Sequence, residues 1–327
     1  MVARIDVRSD LVAANRALFF IVRALVVCVV FLGSLYIGPF YVLGDQVHYR
    51  KIYDGLAGLS LFEGYLYYTS TIDSLEFVHF FLTWLASSFL EKDLFIAIAN
   101  AVLAWVSLEV FQKWRASLVI SAFLVLTNYY LIAMYFSAER LKFGFIFVGL
   151  SFLYVERLKL FYVFSFFALI SHAQTFIVYF SLFFRSFCYQ VFRVASAGKI
   201  SKIFLVVMFL LLIPVSLISA QLVSKFNSYY EGFRGVEELA RVLAFLLLAL
   251  YYAEKKTEVL LFFIPLVATV MLVGGDRVNI LAYFVFLYYA LSVRGGFNFG
   301  VLLTGLYFAV GSFEYVSNIF EYGNNKP

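Results

Sequence analysis

The stretch ALFFIVRALVVCVVFLGSLY, residues 17–36, decides the fold. It stays apolar for about 20 residues, the length a helix needs to cross a bilayer core. Only Arg23 interrupts it. The polar segment before it, MVARIDVRSDLVAANR, carries Arg4, Arg8 and Arg16, and no small-residue cleavage site follows the run. The expectation is an uncleaved first membrane helix with its N-terminus inside, not a signal peptide.

Further apolar runs cover residues 94–111, 117–136, 141–155, 160–171, 173–192, 203–224, 241–253, 259–274, 279–293 and 297–312. Residues 76–90 are also apolar but carry Glu76 and His79. Several runs are shorter than the ~20 residues of a straight span, which implies thinned bilayer or broken helices buried in protein. The chain is 64% hydrophobic and 14% charged. A soluble domain needs about 25% charged residues to cover its surface, so lipid must be the solvent for most of this one. The 41 Phe and 24 Tyr suit acyl chains and the headgroup boundary respectively. The fold class expected is all-α: one polytopic transmembrane helix bundle of about 10–12 membrane helices. Its hydrophilic outer segments are residues 44–75, 225–240 and 313–327.

Composition also excludes several functions. Cys28 and Cys188 sit far apart and imply no disulfide framework. His48, His79 and His172 are too scattered for a zinc site, so no metal and no cofactor is expected. The net charge of +5 fits cytoplasmic loops facing anionic lipid, with no need of nucleic acid.

Orientation follows from the basic loops at Lys113/Arg115, Arg157/Lys159, Arg185 to Lys202, Lys255/Lys256 and Arg294. All face the cytoplasm if residues 76–90 dip into the membrane without crossing and residues 160–192 form a hairpin with His172 near its tip. The alternative makes 76–90 a full span and 160–184 one long span, and puts two basic pairs outside. The first layout gathers Asp45/His48, Glu139/Arg140, His172, Arg234 and Asp276/Arg277 on the outer side.

Each of these groups has two readings. In GDQVHYRKIYDGL, residues 44–56, Asp45, His48, Tyr49, Ile52 and Tyr53 share a helical face. That face either lines a site or belongs to an interfacial helix capped by Asp45. Arg50 and Lys51 lie off it, towards headgroups. In FSAERLKFG, residues 136–144, a charge at membrane depth costs at least ~2.5–3.5 kcal/mol, so Arg140 should face a cavity beside Gly144. The plain reading pairs Glu139 with Lys142 at the membrane edge. His172 and Gln174 interrupt an apolar run as hairpin tip or as buried structural residues. Lys225, Tyr229, Tyr230 and Arg234 form either a sugar-stacking, phosphate-gripping loop or an aromatic belt with snorkelling cations. In GGDRVN, Asp276 and Arg277 open a helix that either holds an anionic headgroup or is merely capped there. Outer cations defy the positive-inside bias, and a pyrophosphate would account for them.

At these residues the chain resembles the EpsG-like branch of the Wzy-type polysaccharide polymerases. The matching features are Gly44-Asp45 leading into His48-Tyr49, Arg140 in AERLKFGF, Arg157-Leu158-Lys159 ahead of His172, and Arg277 in GGDRVN. They run over about residues 40–290. The chain departs from the family pattern at Gly44-Asp45-Gln46, where an aromatic or a small polar residue is expected near the aspartate. The resemblance implies a GT-C-like membrane glycosyltransferase of the bacterial inner membrane. It would polymerise undecaprenyl-pyrophosphate-linked oligosaccharide repeat units into O-antigen or a related surface polysaccharide at the outer face. A flippase and a chain-length regulator would be its partners. The catalytic candidates are Asp45 as base, His172 and Glu139. Substrate would be held by His48, Tyr49, Arg140, Tyr229, Tyr230, Arg234, Asp276 and Arg277. The competing readings are a transporter or flippase of the same lipid-linked sugar, or a related ligase or O-acyltransferase. The sequence contains no D-x-D motif, and arginines alone could neutralise the leaving pyrophosphate.

Overall fold

The computed structural model describes residues 7–72, 74–197 and 237–324. Among these residues every regular element is a helix and there is no strand. The helices are α1 (Val7–Ile37), α2 (Asp45–Leu56), α3 (Leu61–Ile72), α4 (Phe77–Ser87), α5 (Lys92–Lys113), α6 (Leu118–Thr127), α7 (Tyr129–Phe136), α8 (Glu139–Leu153), α9 (Leu158–Ser171), α10 (Ala173–Ala197), α11 (Glu237–Tyr252), α12 (Lys256–Val273), α13 (Gly275–Ala290) and α14 (Phe299–Tyr322). The chain packs as two compact units. One comprises residues 1–171 with 294–327, the other residues 172–293.

Among the described residues four helices are long and apolar enough to cross a membrane, or five if the bent pair α6 and α7 counts as one span. Others, such as Phe77–Ser87 and Leu158–Ser171, are apolar but only 10–17 residues long. The exposed side chains are those a lipid-facing surface requires. On α14 they include Phe299, Leu306, Val310 and Phe313, and on α1 Phe20, Leu25 and Leu32. Among the described residues the protein is all-helical, with several helices long and apolar enough to cross a membrane.

Within the first unit α5 is central: 56% of its span is buried, against 17% for α1 and 28% for α14. Helix α1 turns Val26, Val30 and Ser34, four residues apart, inward against α5. Asn100 of α5 donates to Ser34 Oγ and to the Tyr135 carbonyl, both at 2.9 Å, tying α1, α5 and α7 at one level. Helix α8 packs closely on α5 because Gly149 faces Val106 without a side chain between them. Lys113 donates to the Leu153 carbonyl at 2.7 Å, capping the end of α8 with a cation.

The run 117–136, read as one span, breaks at Asn128 with a bend of 51°. The Asn128 side chain accepts from the backbone N–H of Tyr130 and Leu131, an N-cap in the middle of an apolar run. The break frees the carbonyl of Thr127, and Ser312 of α14 donates to it at 2.7 Å. The tail from residue 313 continues α14 to Tyr322. Phe313, Tyr315, Ile319 and Phe320 extend the apolar pattern, with Ile319 fully buried.

The segment between α1 and α5 folds into the short helices α2, α3 and α4. Ile52, Leu56, Tyr68 and Phe80 form its core, with Trp84 packed against them. In the second unit α10 packs on α12, and α11 on both α12 and α13. Val242, Ala249, Phe263, Leu266, Val278 and Phe286 are buried there. The chain between α9 and α10 breaks at His172, so the run 160–184 is not one continuous helix.

Candidate functional site

The polar residues of the first unit converge where α2, α4, α5 and the start of α8 meet. Glu139, the first residue of α8, precedes that helix's apolar run and is 2% exposed. Its Oε1 accepts from Lys92 Nζ at 2.8 Å and from Gln46 Nε2 at 2.6 Å. Lys92 also donates to Gln46 Oε1, and Gln46 to the Phe136 carbonyl at 2.8 Å. Glu139 Oε2 lies 3.9 Å from His79 Nε2. His79 Nδ1 shares a 2.9 Å hydrogen bond with the Tyr68 hydroxyl. Burial disfavours the charge on Glu139, but Lys92, His79 and Lys142 outweigh it and hold the carboxyl well below the usual range.

Arg140, the next residue, points elsewhere. Its Nε donates to the Tyr49 hydroxyl at 3.1 Å and its Nη1 to Glu76 Oε2 at 2.9 Å. Among the described residues Nη2 has no acceptor, and 24% of the side chain is accessible. Burial pushes the Tyr49 hydroxyl up in pKa, so it stays a neutral partner. Lys142 does not pair with Glu139 as the i, i+3 spacing suggests; its ammonium donates to the Tyr135 carbonyl at 3.1 Å.

Helix α2 presents a face rotated from the expected one. It buries Gln46, Tyr49, Ile52, Tyr53 and Leu56, and leaves Asp45 and His48 exposed. The helix is capped by Gly44, whose φ of 59° favours glycine, so Asp45 stands in the first turn, where a carboxylate suits the helix dipole. Arg50, expected among headgroups, grips Asp93 with Nη2 at 2.8 Å and Nη1 at 3.3 Å. It also donates to the carbonyls of Gly38 and Tyr41. A narrow cleft lined by Arg50, Asp93, Lys92, Gln46 and Glu139 lies between. It has room for about one water molecule, not for a sugar ring.

The remaining sequence candidates fall in residues 172–293, the second unit. His172 belongs to the second unit, where its Nδ1 accepts from Gln174 N–H at 3.1 Å and its carbonyl from Thr175 Oγ1 at 2.7 Å. It therefore opens α10 as a cap. Helix α13 begins at Gly275 after Gly274, whose φ is 86°, so Asp276 and Arg277 fall in its first turn and Gly274 is the cap. The side chains of Asp276 and Arg277, and the whole of Tyr229, Tyr230 and Arg234, lie outside the described residues. Sequence reasoning omitted Gln46, Glu76, His79 and Lys92 from the site. Their only signal is polarity within or beside an apolar segment. Among the described residues no three of His, Cys, Asp and Glu stand close enough to hold a metal.

The arrangement defines a buried ionic cluster beside one partly open arginine, in an all-helical chain with helices able to span a membrane. The chain matches no family profile, no curated protein and no solved structure.

Proposed function

We propose that the protein is a membrane glycosyltransferase that polymerises undecaprenyl-pyrophosphate-linked oligosaccharide repeat units into a surface polysaccharide at the outer face of a bacterial inner membrane. The observation that carries the reading is Arg140. A guanidinium held on two sides by Tyr49 and Glu76, partly accessible and with Nη2 uncommitted among the described residues, is prepared for an oxygen of a phosphate group. On this reading the short apolar helices join the long ones in a GT-C-like bundle of about 10–12 membrane helices.

An acceptor hydroxyl oxygen attacks the anomeric carbon of the donor, and the bond from that carbon to the pyrophosphate oxygen breaks. Asp45, exposed one helical turn before Tyr49, takes the hydroxyl proton. Arg140 stabilises the departing pyrophosphate. Glu139 is the weaker candidate for the base, because Lys92 and Gln46 already occupy its Oε1 and hold it ionised. Deleting the gene and separating surface polysaccharide on a gel tests the reading. The expected outcome is loss of the ladder with a single repeat unit retained. Loss of every repeat unit points to a flippase or an earlier step, and an unchanged ladder sinks the proposal.

A further inference from the structure

Two arginines of the first unit are engaged in contrasting ways. Arg50 commits Nε, Nη1 and Nη2 to protein acceptors and closes both Asp93 oxygens. Such an arginine ties α2 to α5 and leaves nothing for a ligand. Among the described residues Arg140 commits only Nε and Nη1. Its neighbouring carboxylate, Glu139, is occupied by Lys92 and Gln46 and does not compete for it. The carboxylate that does hold it comes from far away in sequence: Glu76, 7% exposed, in the non-helical residue just before α4.

We propose that Glu76 is a positioning residue for anion capture: with Tyr49 it fixes the Arg140 guanidinium so that Nη2 meets one oxygen of an arriving pyrophosphate. The proposal rests on the reading of Arg140 as the pyrophosphate clamp. Holding the fork in place removes the freedom the long side chain would otherwise lose on binding. Charge alone argues the reverse. A carboxylate 2.9 Å from the guanidinium cancels part of its attraction for an anion, so removing that charge should tighten binding. Orientation and charge therefore predict opposite signs, and the sign of one measurement separates them.

The test uses the full chain purified in detergent, with geranylgeranyl pyrophosphate as the probe and titration calorimetry as the readout. Glu76→Gln is expected to bind about tenfold more weakly than wild type, the scale on which outer hydrogen-bond partners of a ligating group act. Glu76→Asp should recover most of that loss, and neither change should move the melting temperature in proportion. Tyr49→Phe, which removes the other holder, should weaken binding in the same direction. It serves as the deciding variant if Glu76→Gln does not reach the membrane. Equal or tighter binding by Glu76→Gln overturns the proposal, as does an unchanged affinity in Tyr49→Phe, or a wild type that does not bind the probe. Binding that follows this pattern in a protein whose deletion leaves the polysaccharide ladder intact would remove the polymerase reading and keep the positioning role.

Discussion

Replacing Lys92 by Met tests the buried cluster most directly. Lys92 Nζ lies 2.8 Å from Glu139 Oε1, with side-chain accessibilities of 8% and 3%. Methionine keeps most of the volume and removes the charge. Glu139 then retains Gln46 Nε2 at 2.6 Å and the more distant His79, but no full positive charge within bonding distance. Breaking a buried pair by removing one partner costs about 3–5 kcal/mol. At about 2–4 °C per kcal/mol for a chain of this order of size, the melting temperature should fall by on the order of 10 °C. Removing both charges, in Lys92→Met with Glu139→Gln, should restore most of the loss, because a neutral amide has less need of the ammonium. The pH dependence has a definite sign. The wild-type carboxyl is depressed, so its contribution is present above the ordinary carboxylate range and is lost as pH falls through it. In Lys92→Met that acid sensitivity should largely vanish. Thermal melts of purified protein in detergent, read by size-exclusion chromatography, report all three. A Lys92→Met protein that melts like wild type, or a double variant as damaged as the sum of the singles, would refute the ion pair.

Arg140→Ala and Arg277→Ala are each expected to abolish polymer while leaving the protein in the membrane, and lysine should rescue only in part because an ammonium lacks the planar fork of a guanidinium; a normal ladder from both alanine variants removes the clamp. Asp45→Asn changes an exposed residue, so stability should move by no more than about 0.5 kcal/mol; purified protein should still bind the lipid-linked repeat unit yet fail to extend it, and wild-type extension takes Asp45 out of the chemistry. Gly149→Ala drives a methyl into Val106 and should destabilise the packing of α8 on α5 by about 1–3 kcal/mol, measured by the same melts.

The helical, apolar character was legible because it is a bulk property: each long apolar run carries its own signal. The run at 94–111 became α5, and those at 241–253 and 279–293 became α11 and α13. The break at Asn128 was harder to read. One polar residue in an apolar run usually stays helical, and what ends α6 is a side-chain cap that periodicity does not register. On α2 the period was right and the phase was wrong. Asp45 and His48 look functional by residue type, yet Gln46 turns inward because Lys92 and Glu139 give it partners. The cluster itself joins residues 46, 79, 92 and 139, which no local spacing connects. Arg140 was legible because three charges within four residues follow a long apolar run. Glu76, which holds it, carries only the weak mark of an acid at the start of an apolar helix.

The Asn128 break also constrains how the protein is made. The Thr127 carbonyl finds its donor in Ser312, 185 residues later in the chain. At about 5–20 residues per second, the ribosome takes roughly 10–40 s to cover that interval. Hydrocarbon offers no donor to an open carbonyl. During biogenesis α6 and α7 must therefore wait, in contact with water, a headgroup or an insertion factor, until the last helix arrives to complete them.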